Sequence, residues 1–426
     1  LVVLLTGATG FIGRRLLEAL VAAGHEIVCA VRRADRVSVN DPRVRFVAAD
    51  FARDRAPADW LPRLVGVDVV INAVGIFRER GSQTFDAIHV EAPRALFSAC
   101  VEAGVRRVVQ ISALGADESA SSRYHRSKAA ADDFLAELPL EWIIVQPSLV
   151  YGPGGTSTRL FTLLASLPFI PLPGGGEQRI QPIHIDDVVQ AIVSLAEGRH
   201  GSRQRIALVG PEPLLLRDYL ARLREAMNLP RAHFLQVPMS IVRLGARLIR
   251  HLPFSLLDPE ALDMLARGNT ADAAHMRGLL GRDPRPVQDF VPRSEARHVR
   301  TESLLGWLLP LLRFSIAAVW IVTGIVTLGV YPVEESYALL ARTGATGPIA
   351  TVLLYGAGVL DLALGIATLA LRRRRLLWIV QAALIFGYTL IITVALPEFW
   401  LHPYGPVLKN LPMLAAIWLL YELEPR

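Results

Sequence analysis

From Leu1 to about Arg300, short runs of Val, Ile and Leu alternate with longer segments of helical period. Continuous apolar runs between turn formers suit strands covered on both faces, and their alternation with helices implies βαβ units around a parallel sheet. The pattern predicts strands at Val2–Thr6, Glu26–Val31, Val44–Ala48, Val67–Asn72, Arg107–Ile111, Trp142–Gln146 and Arg205–Val209. A helix is expected from Phe11 to Ala23. Ala23-Gly24 and Ala103-Gly104 are helix stops ahead of strands. After Pro211 the strand rhythm fades, and a helical, Arg-rich segment is expected to Arg300. The opening run reads as a strand and not a signal peptide, because glycines follow at once and no basic region precedes it.

Beyond Trp307 the pattern changes. Phe314–Val333 and Leu376–Leu396 carry no charge, and Ile349–Leu371 carries only Asp361. Each is long enough to cross a hydrocarbon core about 30 Å thick. Val407–Tyr421 is shorter, carries Lys409, and is expected to be a fourth span. The expected architecture is an α/β domain with a doubly wound parallel sheet over residues 1–300, its substrate-cleft part about 151–300. A transmembrane four-helix domain over 301–426 would follow. Arg293, Arg297 and Arg300 precede the first span and Arg372–Arg375 fill the second connection, whereas Pro397–Pro406 has no Lys or Arg. The positive-inside rule then places the N-terminal domain in the cytoplasm of a multi-pass inner-membrane protein. Asp361 should face the bundle, with His402, Lys409 or Asn410 as partner, and Gly358 and Gly365 on its face permit close packing.

Composition agrees. Of 426 residues 52% are hydrophobic and 20% charged, which excludes a disordered chain. Two cysteines exclude a disulfide scaffold. The net charge of +6 is accounted for by arginines meeting membrane lipid headgroups, with no nucleic acid implied. No metal-ligand spacing is evident. Asp186-Asp187 reads as a helix start with an N-cap role.

Candidate chemistry begins where the first strand ends, at Gly7-Ala8-Thr9-Gly10-Phe11-Ile12-Gly13. Glycines at a strand-to-helix turn let the backbone approach a diphosphate, and the helix N-terminus offers N–H donors. The expected cofactor contacts are Gly7, Thr9, Gly10, Phe11, Ile12 and Gly13. Arg32-Arg33 ends the second strand, where an acid would bind the ribose of NAD and a guanidinium suits the extra phosphate of NADP. NADP(H) is therefore expected ahead of NAD(H), with Asp35 as a competing acid. Asp50 is placed to meet the adenine edge, and Ala73-Val74-Gly75 to pass under the cofactor ribose.

Tyr124 and Lys128 stand four apart, on one helical face, after a strand ending in Ser112. A nearby ammonium favours a phenolate, which makes Tyr a usable acid or base. Lys128 and Lys409 are the only lysines, and by chance a Lys would follow one of the nine tyrosines at this spacing about 4% of the time. Arginine serves nearly everywhere else, so an ammonium here suits a site shaped around it.

With these motifs the chain resembles the short-chain dehydrogenase/reductase superfamily, which also has a segment like Gln146-Pro147-Ser148-Leu149-Val150-Tyr151-Gly152-Pro153. Val109–Ala116, Tyr124–Lys128 and Ile183–Val188 are similar to the atypical group containing the NADPH-binding accessory subunit of respiratory complex I. The resemblance implies Tyr124 as acid/base, Lys128 on the nicotinamide ribose, Ser112 orienting a carbonyl, Pro147 flanking the nicotinamide and His184 bordering the cleft. Departures are His89 where many relatives have Asn, and Gln146 in place of Arg. Residues 304–421 resemble a DoxX-like membrane domain through Gly358–Gly365 and Pro397–Pro412, some relatives of which are associated with quinones. Two functions follow as expectations. One is a membrane-anchored NADP(H)-dependent oxidoreductase acting on a carbonyl or alcohol of an apolar small-molecule substrate. The other is a non-catalytic NADPH-binding module regulating a membrane assembly, with a quinone or membrane protein as partner.

Overall fold

The computed structural model describes residues 1–33, 39, 41–249, 264–265 and 267–424, so Asp35 lies outside the described residues. Two compact units make up the chain, Leu1–Ser303 and Leu304–Arg426. The division falls within the helix Ala296–Ile325.

In the first unit the apolar runs form one parallel sheet: β1 (Val2–Thr6), β2 (Glu26–Val31), β3 (Val44–Ala48), β4 (Val69–Asn72), β5 (Arg107–Ile111), β6 (Glu141–Pro147) and β7 (Gln204–Leu208). Their order is β3-β2-β1-β4-β5-β6-β7. The order reverses between β1 and β4, so the crevice at their carboxyl ends is the switch point where such sheets bind ligands. Helices α1 (Phe11–Ala22), α2 (Ala92–Glu102), α3 (Arg123–Glu137) and α4 (Ile185–Ala196) cover the sheet. Leu16 and Leu20 of α1 share one core with Val188 and Ile192 of α4. Leu96 and Phe97 of α2 share the other with Ala131 and Leu135 of α3. Burial on both faces explains why the strands read as continuous apolar runs. Both cysteines are buried and free.

Strands continue beyond Pro211, where the apolar rhythm of the sequence fades. Leu214–Leu215 pairs antiparallel with Arg179–Ile180, and His233–Val237 pairs parallel with Phe169–Pro173. The latter pair is isolated from the main sheet. Prolines 171 and 173 demote that sequence as a strand, yet a two-stranded ribbon tolerates them because each strand is an edge.

In the second unit, α5 (Ala296–Ile325) continues as a π-helix to Val330, followed by α6 (Gly347–Ala370), α7 (Arg375–Ala395) and α8 (Asn410–Leu423). Three of these, Ala296–Val330, Gly347–Ala370 and Arg375–Ala395, are long and apolar enough to cross a membrane. The expected fourth span is a helix of 14 residues, only about 21 Å at 1.5 Å per residue, which falls short of a hydrocarbon core. Exposed Val352, Leu376 and Val394 leave apolar surface outward, as lipid contact requires.

Close helix contact rests on glycine. A Cβ on Gly324 of α5 would lie 2.7 Å from the Gly358 carbonyl oxygen, and one on Gly365 of α6 2.5 Å from Ile321. Asp361 is buried, and its Oδ1 has no hydrogen-bond partner among the described residues. Two of the expected partners are engaged elsewhere: Asn410 donates to Thr389 at 2.8 Å, and His402 stacks on Phe399. At the end of the unit, Glu424 accepts from Arg313 and Arg374, at 3.1 and 3.2 Å. Since the Gly324 neighbour is backbone, Gly324→Leu should force α5 and α6 apart. We expect a thermal midpoint at least 10 °C lower in detergent, against under 3 °C for Gly356→Leu, whose Cβ meets open space.

Candidate active site

The turn after β1 folds as its glycines dictate. Gly7 has φ +70° and approaches the loop after β4 so closely that a Cβ would lie 2.7 Å from the Ala73 carbonyl oxygen. A Cβ on Gly13 would lie 2.0 Å from the Gly7 carbonyl oxygen. Helix α1 starts at Gly10 with no side-chain cap and no acid in its first turn. Its first N–H groups, around Phe11 and Ile12, are thus left for an outside acceptor, and Thr9 and Gly10 are exposed beside them. These residues fit a diphosphate. Phe11 packs on the loop after β6, where a Cβ on Gly155 would lie 2.9 Å from its ring. Arg32 and Arg33 are exposed at the end of β2. Asp50 is held within its own turn, where its Oδ1 accepts from Ala52 N–H at 3.0 Å.

Beneath the crevice three side chains tie the strand ends together. Thr6 donates to Asn72 at 2.6 Å, and Asn72 donates to Gln110 at 2.7 Å, across β1, β4 and β5. Ala73 N–H donates back to Thr6 at 3.2 Å. This bridging fixes the Ala73-Val74-Gly75 loop. Pro147 is buried at the end of β6 and accepts from Leu114 N–H at 3.0 Å.

Ser122 caps α3, accepting from His125 N–H at 3.2 Å, and the helix carries Tyr124 and Lys128 inward on one face. Lys128 is buried and donates to the Ile111 carbonyl at 3.0 Å and toward that of Val74 at 3.4 Å. A Cβ at Gly75 would come within 3.2 Å of its Nζ, so glycine leaves the ammonium its room. Burial lowers the Lys128 pKa to about 8, with the Asp132 charge opposing. Tyr124 is 7% exposed and sits among aromatic rings. Phe77 stacks on it at 5.0 Å, and Phe85, His89 and His125 surround it at 5.4–6.2 Å. Burial, and then Asp132, push its phenol above the ordinary value. The expected lowering by Lys128 gives way here to desolvation, and the phenol carries its proton at neutral pH.

Ser112 stands apart from Tyr124 in its bonding. Its hydroxyl donates to Asp132 on α3, a fully buried carboxylate. Asp132 escapes sequence reading because one acid eight residues after Tyr124 carries no signal without the strand it faces. His89 is likewise placed by the fold. Its Nε2 accepts from Ile76 N–H at 3.0 Å, and its Nδ1 lies 2.8 Å from Ser127 Oγ. Ser127 spends its own proton on the Tyr124 carbonyl, at 2.8 Å, so His89 is the Nδ1–H tautomer. His184 is buried and caps α4 by accepting from Asp186 N–H at 3.2 Å. It takes the capping role expected of the Asp186-Asp187 pair, because that pair already lies in the first turn. Among the described residues no group of His, Cys, Asp and Glu forms a metal site.

Residues 3–210 match the NAD dependent epimerase/dehydratase family, and residues 317–418 the DoxX-like family. The chain joins an epimerase/dehydratase-type Rossmann domain to a DoxX-like domain. It is 36% identical over 197 residues to a ceramide reductase of Caulobacter vibrioides, covering 45% of this chain and 60% of that protein. It is 27% identical over 275 residues to the mitochondrial NADH dehydrogenase [ubiquinone] 1 alpha subcomplex subunit 9 of Arabidopsis thaliana, covering 61% and 66%. The chain thus spans about 60% and 66% of these relatives' length. A nucleoside-diphosphate-sugar epimerase from Staphylococcus aureus superposes with a TM-score of 0.56 at 17% identity, covering 68% of this chain and 99% of that one. A UDP-glucuronic acid 4-epimerase from Bacillus cereus in complex with NAD gives 0.53 at 18%, covering 71% and 99%. Likeness at that identity establishes the fold. The family match supports a nicotinamide cofactor, and the DoxX-like domain with its three long apolar helices supports a membrane-associated protein.

His89 makes a pH prediction. Burial and the Lys128 charge lower its pKa to about 2, whereas an unfolded His titrates near 6.5. Below that pH the unfolded chain takes a proton that the folded chain refuses, so stability falls by up to about 1.4 kcal/mol per pH unit. His89→Gln should flatten the fall in unfolding midpoint between pH 6.5 and 5.0, followed in detergent across that range. An unchanged slope would contradict the locked neutral imidazole.

Proposed function

We propose that the chain is a membrane-anchored, NADP(H)-dependent oxidoreductase that reduces a carbonyl of an apolar, membrane-borne substrate. The observation that carries this reading is a buried Tyr124 phenol on the same helical face as the buried Lys128, with a glycine turn that fits a diphosphate at the switch point of the same sheet. The cofactor, when bound, supplies the hydride. Tyr124 holds the proton that a reduced carbonyl oxygen needs, and it would pass that proton on as the oxygen becomes alkoxide-like, a stronger base than a phenolate. Lys128 supplies positive charge one turn away, where water is excluded. Arg32 and Arg33 favour the phosphorylated cofactor, since two exposed guanidinium groups at the end of β2 can pair with a 2′-phosphate. The aromatic wall of Phe77, Phe85 and His125 and the three apolar helices support a lipid-soluble substrate. So does the Caulobacter relative, a ceramide reductase. The arginines flanking the spans support a cytoplasmic N-terminal domain on an inner membrane.

One observation favours the second reading, a non-catalytic NADP(H)-binding module that stabilises a membrane assembly. The Ser112 proton is committed to Asp132, so Ser112 does not offer it to a substrate oxygen. The Arabidopsis relative is named as a subunit of NADH dehydrogenase, which supports an assembly role. Tyr124→Phe separates the two. With full-length protein in lipid nanodiscs and a panel of long-chain ketones, it should slow NADPH oxidation about 100-fold or more while NADPH affinity stays within about threefold. Equal slow oxidation with and without the phenol, despite tight binding, would favour the module. In the same titrations, Arg32→Ala with Arg33→Ala should weaken NADPH at least about tenfold and leave NADH nearly unchanged.

A further inference from the structure

We propose that Asp132 is a positioning residue for the Tyr124–Lys128 pair: through Ser112 it locks α3 against the end of β5, and its charge keeps the Lys128 ammonium protonated. This rests on the reading of Tyr124 and Lys128 given above.

Three observations converge. Lys128 and Asp132 are one helical turn apart and reach consecutive residues of one strand end. Lys128 Nζ donates to the Ile111 carbonyl at 3.0 Å, and Asp132 accepts from the Ser112 hydroxyl. Two bonds one turn apart fix both the rotation and the height of α3 on the sheet, and Tyr124 lies one turn further along the same face. Second, Asp132 is fully buried, and its Oδ1 has no hydrogen-bond partner among the described residues. A clamp alone needs only a neutral acceptor, and a half-satisfied buried carboxylate costs stability relative to one. Its charge therefore calls for a separate explanation. Third, among the described residues the Lys128 ammonium is bonded only to carbonyl dipoles, and the His89 imidazole on which its charge acts is neutral. No ion pair within 4 Å joins Lys128 to an acid among the described residues, so Asp132 acts at longer range through a dry interior, where charge interactions are weakly screened.

The groups around the pair define the titration. Asp132 is raised to about 6 by burial, opposed by the Ser112 hydrogen bond and by Lys128 and Arg205, with Asp133 adding to the rise. Lys128 is lowered to about 8 by burial, opposed by Asp132. His125, the other imidazole beside Tyr124, is lowered by burial and by Arg267. Losing the Asp132 charge leaves desolvation of Lys128 unopposed, so its proton is released at lower pH.

Two lysines in the whole chain make this directly observable. Full-length protein carrying [13Cε]lysine, in detergent micelles, should show two lysine resonances, with Lys409→Arg assigning the other. We expect the Lys128 midpoint to fall by at least one pH unit in Asp132→Asn, to stay within 0.3 unit of wild type in Asp132→Glu, and to stay within 0.5 unit in Ser112→Ala, which breaks the clamp but keeps the charge. If Asp132→Asn does not fold, the wild-type protein still tests the idea. Its Lys128 resonance should show a second inflection near pH 6 as Asp132 takes a proton, present also in His125→Gln. A midpoint unmoved by Asp132→Asn, or a wild-type curve with a single inflection, overturns the proposal. Neither readout needs turnover, so a failure here is distinct from a failure of Tyr124→Phe to slow oxidation.

Discussion

A cation withdrawn from water must be repaid in dipoles or in opposite charge, and the arrangement around Lys128 supplies both. The carbonyls of Ile111 and Val74 face its ammonium from two strand ends, and Asp132 lies behind it. These strand ends are themselves tied by Thr6, Asn72 and Gln110, so the sheet presents a fixed edge. A side chain at Gly75 would crowd the ammonium, which a Cβ would approach to 3.2 Å, and Gly7 must be glycine for the turn after β1 to touch Ala73. The diphosphate cradle and the ammonium pocket therefore share one loop, residues 73–75. A change in either is transmitted to the other through backbone, which has few alternative arrangements.

How much of this was legible in the chain depends on how local the cause is. Strands β1, β2, β3 and β5 have the residues their apolar runs predict; in β1, β2 and β5 burial leaves a nearly uninterrupted signal, whereas β3, at the sheet edge, is only partly buried. The glycine turn was legible because its glycines all fall within the seven residues Gly7–Gly13. Tyr124 and Lys128 were legible as a pair through helical spacing and the rarity of lysine. Ser112 was legible as a polar residue at a strand end, but its bond to Asp132 was not, because it depends on where α3 lies against β5. His89, Ser127 and Phe77 belong to the same class: each is defined by a partner 38 or more residues away in sequence. The pair Phe169–Pro173 and His233–Val237 was hidden by prolines that only an edge strand accepts. The shortness of α8 was hidden because an apolar run gives composition, whereas helix length also depends on where the turn after Pro397 ends.

The second unit obeys a different physics. With apolar surface outward, hydrophobic burial contributes little to holding its helices together, so contact between backbones must do more. Gly324, Gly358 and Gly365 provide that contact between α5 and α6. Glu424 shows what polar groups cost here: it is buried, and two guanidinium groups and the Trp378 indole N–H, at 3.4 Å, converge on it. Asp361 lacks any comparable set of partners among the described residues, and an unpaired carboxyl within a span is stable only when neutral or solvated.

The proton-holding state of Tyr124 also bears on direction. A phenol must lose its proton to serve as a base in alcohol oxidation, and burial and Asp132 both oppose that loss. Carbonyl reduction also leaves a phenolate, but there the proton passes to an oxygen that is becoming alkoxide-like, a stronger base than the phenolate left behind. The same Asp132 charge that opposes phenolate formation keeps Lys128 positive one turn away, so the two effects offset each other at Tyr124 while both favour a site that starts with its full complement of protons. Lys128 is turned toward the carbonyls of Ile111 and Val74, so in the resting site the buried phenol keeps its proton.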